Sequence, residues 1–218
     1  FIVAPLMTIT PLLLANNVSA PDWENPLVLG INKLPPRHPA WPCPDEASGW
    51  KSDYDHSPWV RSLNGAWRFH WSPDPPSRPV DFFATNFDAS VWKTIPVPSC
   101  WQFQGYGVPM YINYAFGFKT NPPSVMDAPP TNFTSYLQRN PVGSYVREFD
   151  VPAGWAGQRV LLHFAGVSSA MYVWVNGQKV GYSQGSRCPA EFDVTALIHP
   201  GSNRLAVEVY RWCDGSYL

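Results

Sequence analysis

The sequence predicts an all-β chain: an antiparallel jelly roll or β-sandwich behind an irregular, proline-rich N-terminal arm. Three observations carry this. From Leu63 onward, short runs alternate apolar and polar residues, the period of two expected of half-buried strands. Turn residues punctuate the runs at Asn64-Gly65, Gly157, Asn176-Gly177 and Pro200-Gly201. No segment keeps an apolar period of 3.6 over the length of a helix. Close-spaced strands without helices mean two packed antiparallel sheets.

Taken in order, residues 1–60 show little periodicity and many prolines, as in LPPRHPAWPCP at 34–44. Proline fixes φ and removes a donor, so this stretch reads as an extended arm laid over something else, with Trp23, Trp41, Trp50 and Trp59 as its anchors. Residues 61–218 form the sandwich. Ala66–Trp71 is its first strand, and Ile95–Pro98 makes a short one. Residues 99–142 are turn and loop. Ser144–Val151 places Tyr145, Arg147, Phe149 and Val151 on one side, with Val146 and Glu148 on the other. Arg159–Phe164 follows, with Val160, Leu162 and Phe164 as its apolar side. Ala170–Val175 and Gln178–Tyr182 flank Asn176-Gly177, a dipeptide suited to the two positive φ values of a type I′ hairpin turn. Glu191–Val194 and Arg204–Tyr210 complete the set, separated by a helical turn over Thr195–Ile198.

Composition narrows the function. Charged residues make up 14% of the chain, against roughly 25% in ordinary soluble domains. The difference is filled by 25 Pro, 11 Trp, 10 Tyr and 12 Phe, more flat aromatic surface than a core needs. A net charge of −1 offers nothing to attract nucleic acid or an anionic membrane, and neither is expected as a partner. The cysteines at 43, 100, 188 and 213 lack zinc-site spacing and read mostly as free, buried thiols. FIVAPLMTITPLLLA at 1–15, with VSA at 18–20, has features of a signal peptide. It lacks a basic leader and is shorter than the ~20 apolar residues of a membrane span. A cytoplasmic location is favoured, with secretion as the alternative. Two sequons, Asn17-Val18-Ser19 and Asn132-Phe133-Thr134, matter only in the second case.

Catalytic signals are thin. Glycoside hydrolysis needs two facing carboxylates, and nothing pairs the glutamates at 24, 46, 148, 191 and 208. Glu148 and Glu208 alternate out of strands toward solvent, and His163 reads as a satisfied strand residue. No nucleophile elbow or phosphate loop is present. By its own residues the chain does not read as a complete enzyme. Binding signals are stronger. CWQFQGYGVPMYINYAFGFKTNPP at 100–123 crowds Trp101, Phe103, Tyr106, Tyr111, Tyr114, Phe116 and Phe118 beside Gln102, Gln104, Asn113 and Asn121. Ring faces for sugar C–H bonds and amides for hydroxyls make a carbohydrate site, although such loops also serve protein interfaces.

Read together, DWENP (22–26), RSLNGAWRFHW (61–71), VPSCWQFQGYGVPMYIN (97–113), TNPP (120–123), NPVGSY (140–145), SRCPAEFDVTALIHPGSNRLAVEV (186–209) and RWCDGSYL (211–218) resemble the N-terminal region of the large β-galactosidases of glycoside hydrolase family 2. The resemblance runs from Pro21 to the last residue. It implies a galactose-binding-like jelly roll, the first of several domains, in a hydrolase of terminal β-D-galactose residues acting on β-galactosides such as lactose. The barrel with the catalytic glutamates and the Mg²⁺ ligands would lie beyond Leu218, so Leu218 reads as a cut inside the sandwich and the fragment alone as inactive. Asn121, in TNPP, matches an asparagine reaching the galactose site. Asp214, in CDGSYL, matches an aspartate that meets galactose hydroxyls and ligates Na⁺, projecting from its turn toward a neighbouring domain. The arm from Trp23 to Trp41 resembles a segment that crosses the interface of tetrameric members, so the partners implied are the remaining domains and a homo-oligomer. There are departures: Cys213 replaces a serine, residues 124–141 are longer than the bacterial loop, and the first twenty residues match little. The rival readings are a free-standing carbohydrate-binding module and a different sandwich-plus-barrel enzyme such as a β-glucuronidase or β-mannosidase.

Overall fold

A computed structural model of the chain describes residues 20–38, 40–51, 57–111, 116–128, 131 and 137–218. Both sequons and the segment resembling a signal peptide lie outside these residues, as do Asn113 and Tyr114.

The fold is antiparallel β with almost no helix. Its strands are β1 (Gly30–Ile31), β2 (Gly65–Ser72), β3 (Lys93–Val97), β4 (Val142–Val151), β5 (Leu161–Phe164), β6 (Ala170–Val175), β7 (Gln178–Gln184), β8 (Ala190–Asp193) and β9 (Gly201–Tyr210). The one α-helix among the described residues, α1 (Glu46–Trp50), is a single turn capped by the Asp45 side chain on the Ser48 amide. A larger sheet runs β1-β7-β6-β9-β4-β2-β3, and β5 pairs with β8 in a smaller one. The expected strands are therefore present, most extended by a few residues. The β6–β7 hairpin turns on Asn176 at φ 49° and Gly177 at φ 80°, as a type I′ turn requires. Asn176 also fastens the turn to β9, accepting from the Arg204 amide at 2.8 Å and donating to Leu197 O at 2.8 Å.

The larger sheet is covered on both faces, and this positions everything that follows. One face meets the smaller sheet. Trp67, Phe69, Val173, Val175, Leu205 and Val207 pack there with Leu162 and Phe192 of β5 and β8. The opposite face is covered by loop and arm. Phe82 and Ala89 seal Val146 and Ala206, with Phe83 stacked flat on Trp174 at 4.9 Å. Trp23 of the arm joins Tyr182, Tyr210 and Val142.

That second layer corrects two expectations. Glu208 does not face solvent. It alternates away from Val207 and Val209 but emerges beneath the covering loop, 4% exposed, paired with Arg78 at 3.1 Å. Glu148 does face out, bonded to Arg204 at 3.3 Å. Nor do four tryptophans anchor the arm. Trp23 is buried and stacked on Tyr210 at 5.2 Å, and Trp41, half-exposed, meets the His163 ring edge-on at 5.0 Å, whereas Trp50 is 80% exposed and Trp59 half-exposed.

The arm instead docks by its backbone. β1 adds to the free edge of β7, and Gly181 lets it approach. A Cβ there would run into the Ile31 carbonyl oxygen and the Phe192 ring. Further along, Arg37 makes a two-pronged ion pair with Glu191 at 2.7 and 2.9 Å. Glu191 also bonds His163 Nδ1 at 3.0 Å, so His163 is indeed a satisfied strand residue. The four cysteines are unpaired, but only Cys213 is buried; Cys100 and Cys188 are exposed because both sit in surface loops.

Candidate functional site

The site forms where the arm, the end of β9 and the loop after Phe118 meet. Asp22–Glu24 is a turn of 3-10 helix in which consecutive side chains do different work. Asp22 Oδ2 accepts from the Tyr172 hydroxyl at 2.8 Å. Trp23 fills the core. Glu24 Oε1 accepts from Ser124 Oγ, Val125 N and Met126 N at 2.9, 2.6 and 3.1 Å.

After Tyr210 the chain leaves β9 and enters a second 3-10 turn, Asp214–Tyr217. Ser216 Oγ accepts from the Cys213 amide at 3.0 Å. Asp214 occupies the first position of this turn, half-buried. Rather than pointing outward, its Oδ2 accepts from Gln184 Nε2 at 3.3 Å, and Gln184 is 7% exposed. The other oxygen, Oδ1, is buried without a partner. Burial, with a further contribution from the Glu24 carboxylate, holds the Asp214 carboxyl above the usual aspartate range. A buried carboxylate oxygen with no donor is costly unless a cation satisfies it. Hard oxygen ligands suit Na⁺, so the residues present fit the ion implied. Among the described residues, no three His, Cys, Asp or Glu side chains come together to hold a metal; the remaining ligands would be amide or backbone oxygens and water.

Asn121 is exposed at the start of the neighbouring loop, where it bridges to Ser124. Its Nδ2 donates to Asp127 Oδ2 at 3.0 Å. Tyr217, from the Asp214 turn, fastens it: the Asn121 amide donates to the Tyr217 hydroxyl at 3.1 Å, and that hydroxyl donates to Ser124 O at 2.5 Å. The two residues singled out by the resemblance are thus one hydrogen-bonded turn apart. Glu24, Gln184 and Tyr217 complete the arrangement and were not singled out. Their signal was faint: Glu24 and Tyr217 sit inside the quoted blocks DWENP and RWCDGSYL, and Gln184 merely continues a strand.

The aromatic loop divides. Trp101 and Phe118 are buried, and Tyr106 and Phe116 pack against the core. Among the described rings of this loop, Phe103 and Tyr111 are the most exposed, at 81% and 91%. Of the glutamates, Glu148 faces solvent and bonds Arg204, while Glu191 and Glu208 are paired with Arg37 and Arg78.

Comparison with known proteins decides the family. The sugar-binding domain of glycosyl hydrolases family 2 matches residues 60–218. The chain belongs to that family. This family 2 chain is 41% identical over 199 residues to a β-galactosidase of Priestia megaterium, covering 91% of the chain and 19% of the relative. It is also 41% identical over 216 residues to a β-galactosidase of Enterobacter cloacae, covering 98% of the chain and again 19% of the relative. The chain therefore spans about a fifth of the length of these relatives. Among solved structures it is similar to a Bifidobacterium dentium β-glucuronidase, with 24% identity and a TM-score of 0.47 over 68% of the chain and 19% of that protein. A Faecalibacterium prausnitzii β-glucuronidase gives 27% identity and a TM-score of 0.46 over 68% of the chain and 20% of that protein.

Proposed function

We propose that this chain is the N-terminal sugar-binding portion of a β-galactosidase, contributing part of a galactose site and a sodium site to an enzyme whose catalytic carboxylates and Mg²⁺ ligands lie in the remaining domains. The observation that carries the reading is the identity of 41% to β-galactosidases across 91% of the chain. In this reading Asn121 offers an amide to a galactose hydroxyl, and Asp214 contributes carboxylate oxygens to Na⁺ and to galactose. The orphan Oδ1 supports the cation role most directly. Bound there, Na⁺ would neutralise the buried charge and fix the turn that carries Tyr217. The substrate is a β-galactoside such as lactose, and the arm is a candidate for contacts between copies in an oligomer.

The test has two parts. The transcript read past Leu218 should encode a barrel with paired glutamates; a stop codon directly after Leu218 would replace this reading with that of a free-standing carbohydrate-binding module. Line broadening of ²³Na by the purified chain, with Mg²⁺ as competitor, should disappear in Asp214→Asn and persist in Asn121→Ala. Equal broadening by wild type and Asp214→Asn would remove Asp214 from the cation site.

A further inference from the structure

We propose that Glu24 is a positioning residue of this site: the carboxylate through which the arm sets the conformation of the loop bearing Asn121. The inference rests on the reading of Asn121 given above for its functional consequence, though not for its geometry. Three donors converge on one oxygen of Glu24, two of them successive backbone amides. Such a nest around a carboxylate is charge-assisted and directional. It fixes residues 124–126 from the arm side. From the other side Tyr217 holds the same loop by accepting from the Asn121 amide and donating to the Ser124 carbonyl. The loop closes on itself through Ser124 N to Asn121 O at 2.9 Å. Asn121 is exposed; its side chain is turned by Asp127, and its backbone is held by these two tethers.

The arm has reason to deliver a carboxylate here. Trp23 is locked on Tyr210 and Asp22 on Tyr172, so Glu24 has little freedom in where it points. Val125 is buried, so without an acceptor here its amide would be left unpaired.

The experiment uses amide hydrogen exchange and NMR on the 218-residue chain, comparing wild type, Glu24→Ala and Glu24→Gln. Glu24→Gln keeps an acceptor oxygen in the same place and removes the charge. In Glu24→Ala, exchange at Val125 and Met126 should rise on the order of 10-fold or more, with the amides of β4 and β9 unchanged, because local opening is separate from global unfolding. The Asn121 side-chain NH₂ signals should shift toward solvent-averaged values. In Glu24→Gln both readouts should fall between wild type and Glu24→Ala, because the acceptor stays while its charge is lost. Galactose is then titrated into all three: shifts at Asn121 should weaken severalfold in Glu24→Ala and recover in part in Glu24→Gln. Unchanged exchange at Val125 and Met126 in Glu24→Ala overturns the proposal. So does acceleration spread equally over β4 and β9, which would make Glu24 a general stabiliser. If galactose shifts nothing in any of the three proteins, this chain does not bind the sugar by itself, and the exchange result alone decides the role of Glu24 in shaping the loop.

Discussion

Replacing Arg78 with methionine removes the counter-charge of Glu208 while keeping most of the aliphatic stem, and the structure allows the cost to be worked out. The guanidinium Nε lies 3.1 Å from Glu208 Oε2, with side-chain exposures of 30% and 5%. At an effective dielectric of about 20, a pair at that distance attracts by about 5 kcal/mol. Arg78 is nearly a third exposed, so screening and the solvation it regains offset part of this. A net loss of about 3 kcal/mol is expected at neutral pH, the low end of the range for breaking a buried pair.

The sign of its pH dependence follows from Glu208. Burial already raises its carboxyl above the ordinary glutamate range, opposed by the Tyr210 hydroxyl at 2.6 Å and by Arg78. Without Arg78 it rises further. A group whose pKa is raised on folding contributes stability that is present below its unfolded pKa and lost as pH rises through the folded one. The deficit of Arg78→Met should therefore be small at acid pH, where the carboxyl is protonated in both proteins, and grow by at most about 1.4 kcal/mol per pH unit as pH rises past the ordinary glutamate range. Urea denaturation of wild type and variant across that range measures it, and Arg78→Met combined with Glu208→Gln should restore most of the loss. A deficit independent of pH, or one not relieved by Glu208→Gln, would show that Arg78 acts through packing and not through charge.

Other outcomes are expected. Trp23→Ala should cost about 3–5 kcal/mol in thermal or urea denaturation, since a buried, stacked indole is deleted, and should open the arm to limited proteolysis. Gly181→Ala should displace β1, because the added Cβ meets the Ile31 carbonyl and the Phe192 ring; a cost of about 1–3 kcal/mol and faster exchange at Ile31 are the readouts. Na⁺ should stabilise the chain more at neutral than at acid pH, because a proton competes for Asp214, whose carboxyl burial holds above its usual range; melting curves with Na⁺ against a bulky organic cation measure this. The purified chain should not hydrolyse a nitrophenyl β-galactoside; turnover abolished by changing one of its own glutamates would reveal a missed site.

The parts of this fold legible in the sequence are those governed by neighbours along the chain. Asn176-Gly177 specifies its hairpin because a type I′ turn asks both residues for positive φ, and both have it. Alternation located β2, β4 and β9 because one face of each meets the smaller sheet. The same rule failed at Glu208, since alternation says which residues share a face and not whether that face is wet. The covering layer comes from distant segments, the arm and residues 78–92, whose own patterns are irregular. Arg78 was the available clue: a lone cation before a run of aromatics that must lie on something. The tryptophans failed for the same reason, as composition cannot distinguish Trp23, which reaches a sheet face, from Trp50, which does not.

The site shows the same division. The amide and carboxylate of Asn121 and Asp214 were legible only through whole blocks resembling a family, because neither residue has a local pattern of its own. What joins them is still less local. Glu24 reaches Ser124 across 100 positions, Tyr217 reaches Asn121 across 96, and Gln184 reaches Asp214 across 30. Sheet order explains why these residues meet. β7 and β9 flank β6, so the ends that carry Gln184 and Tyr210 lie on either side of Ala170. Trp23 packs over Tyr210 and brings Glu24 with it. The arm that looks like an appendage in sequence thereby spans from β9 to the Asn121 loop, meeting there the Tyr217 side chain that comes from the turn after β9.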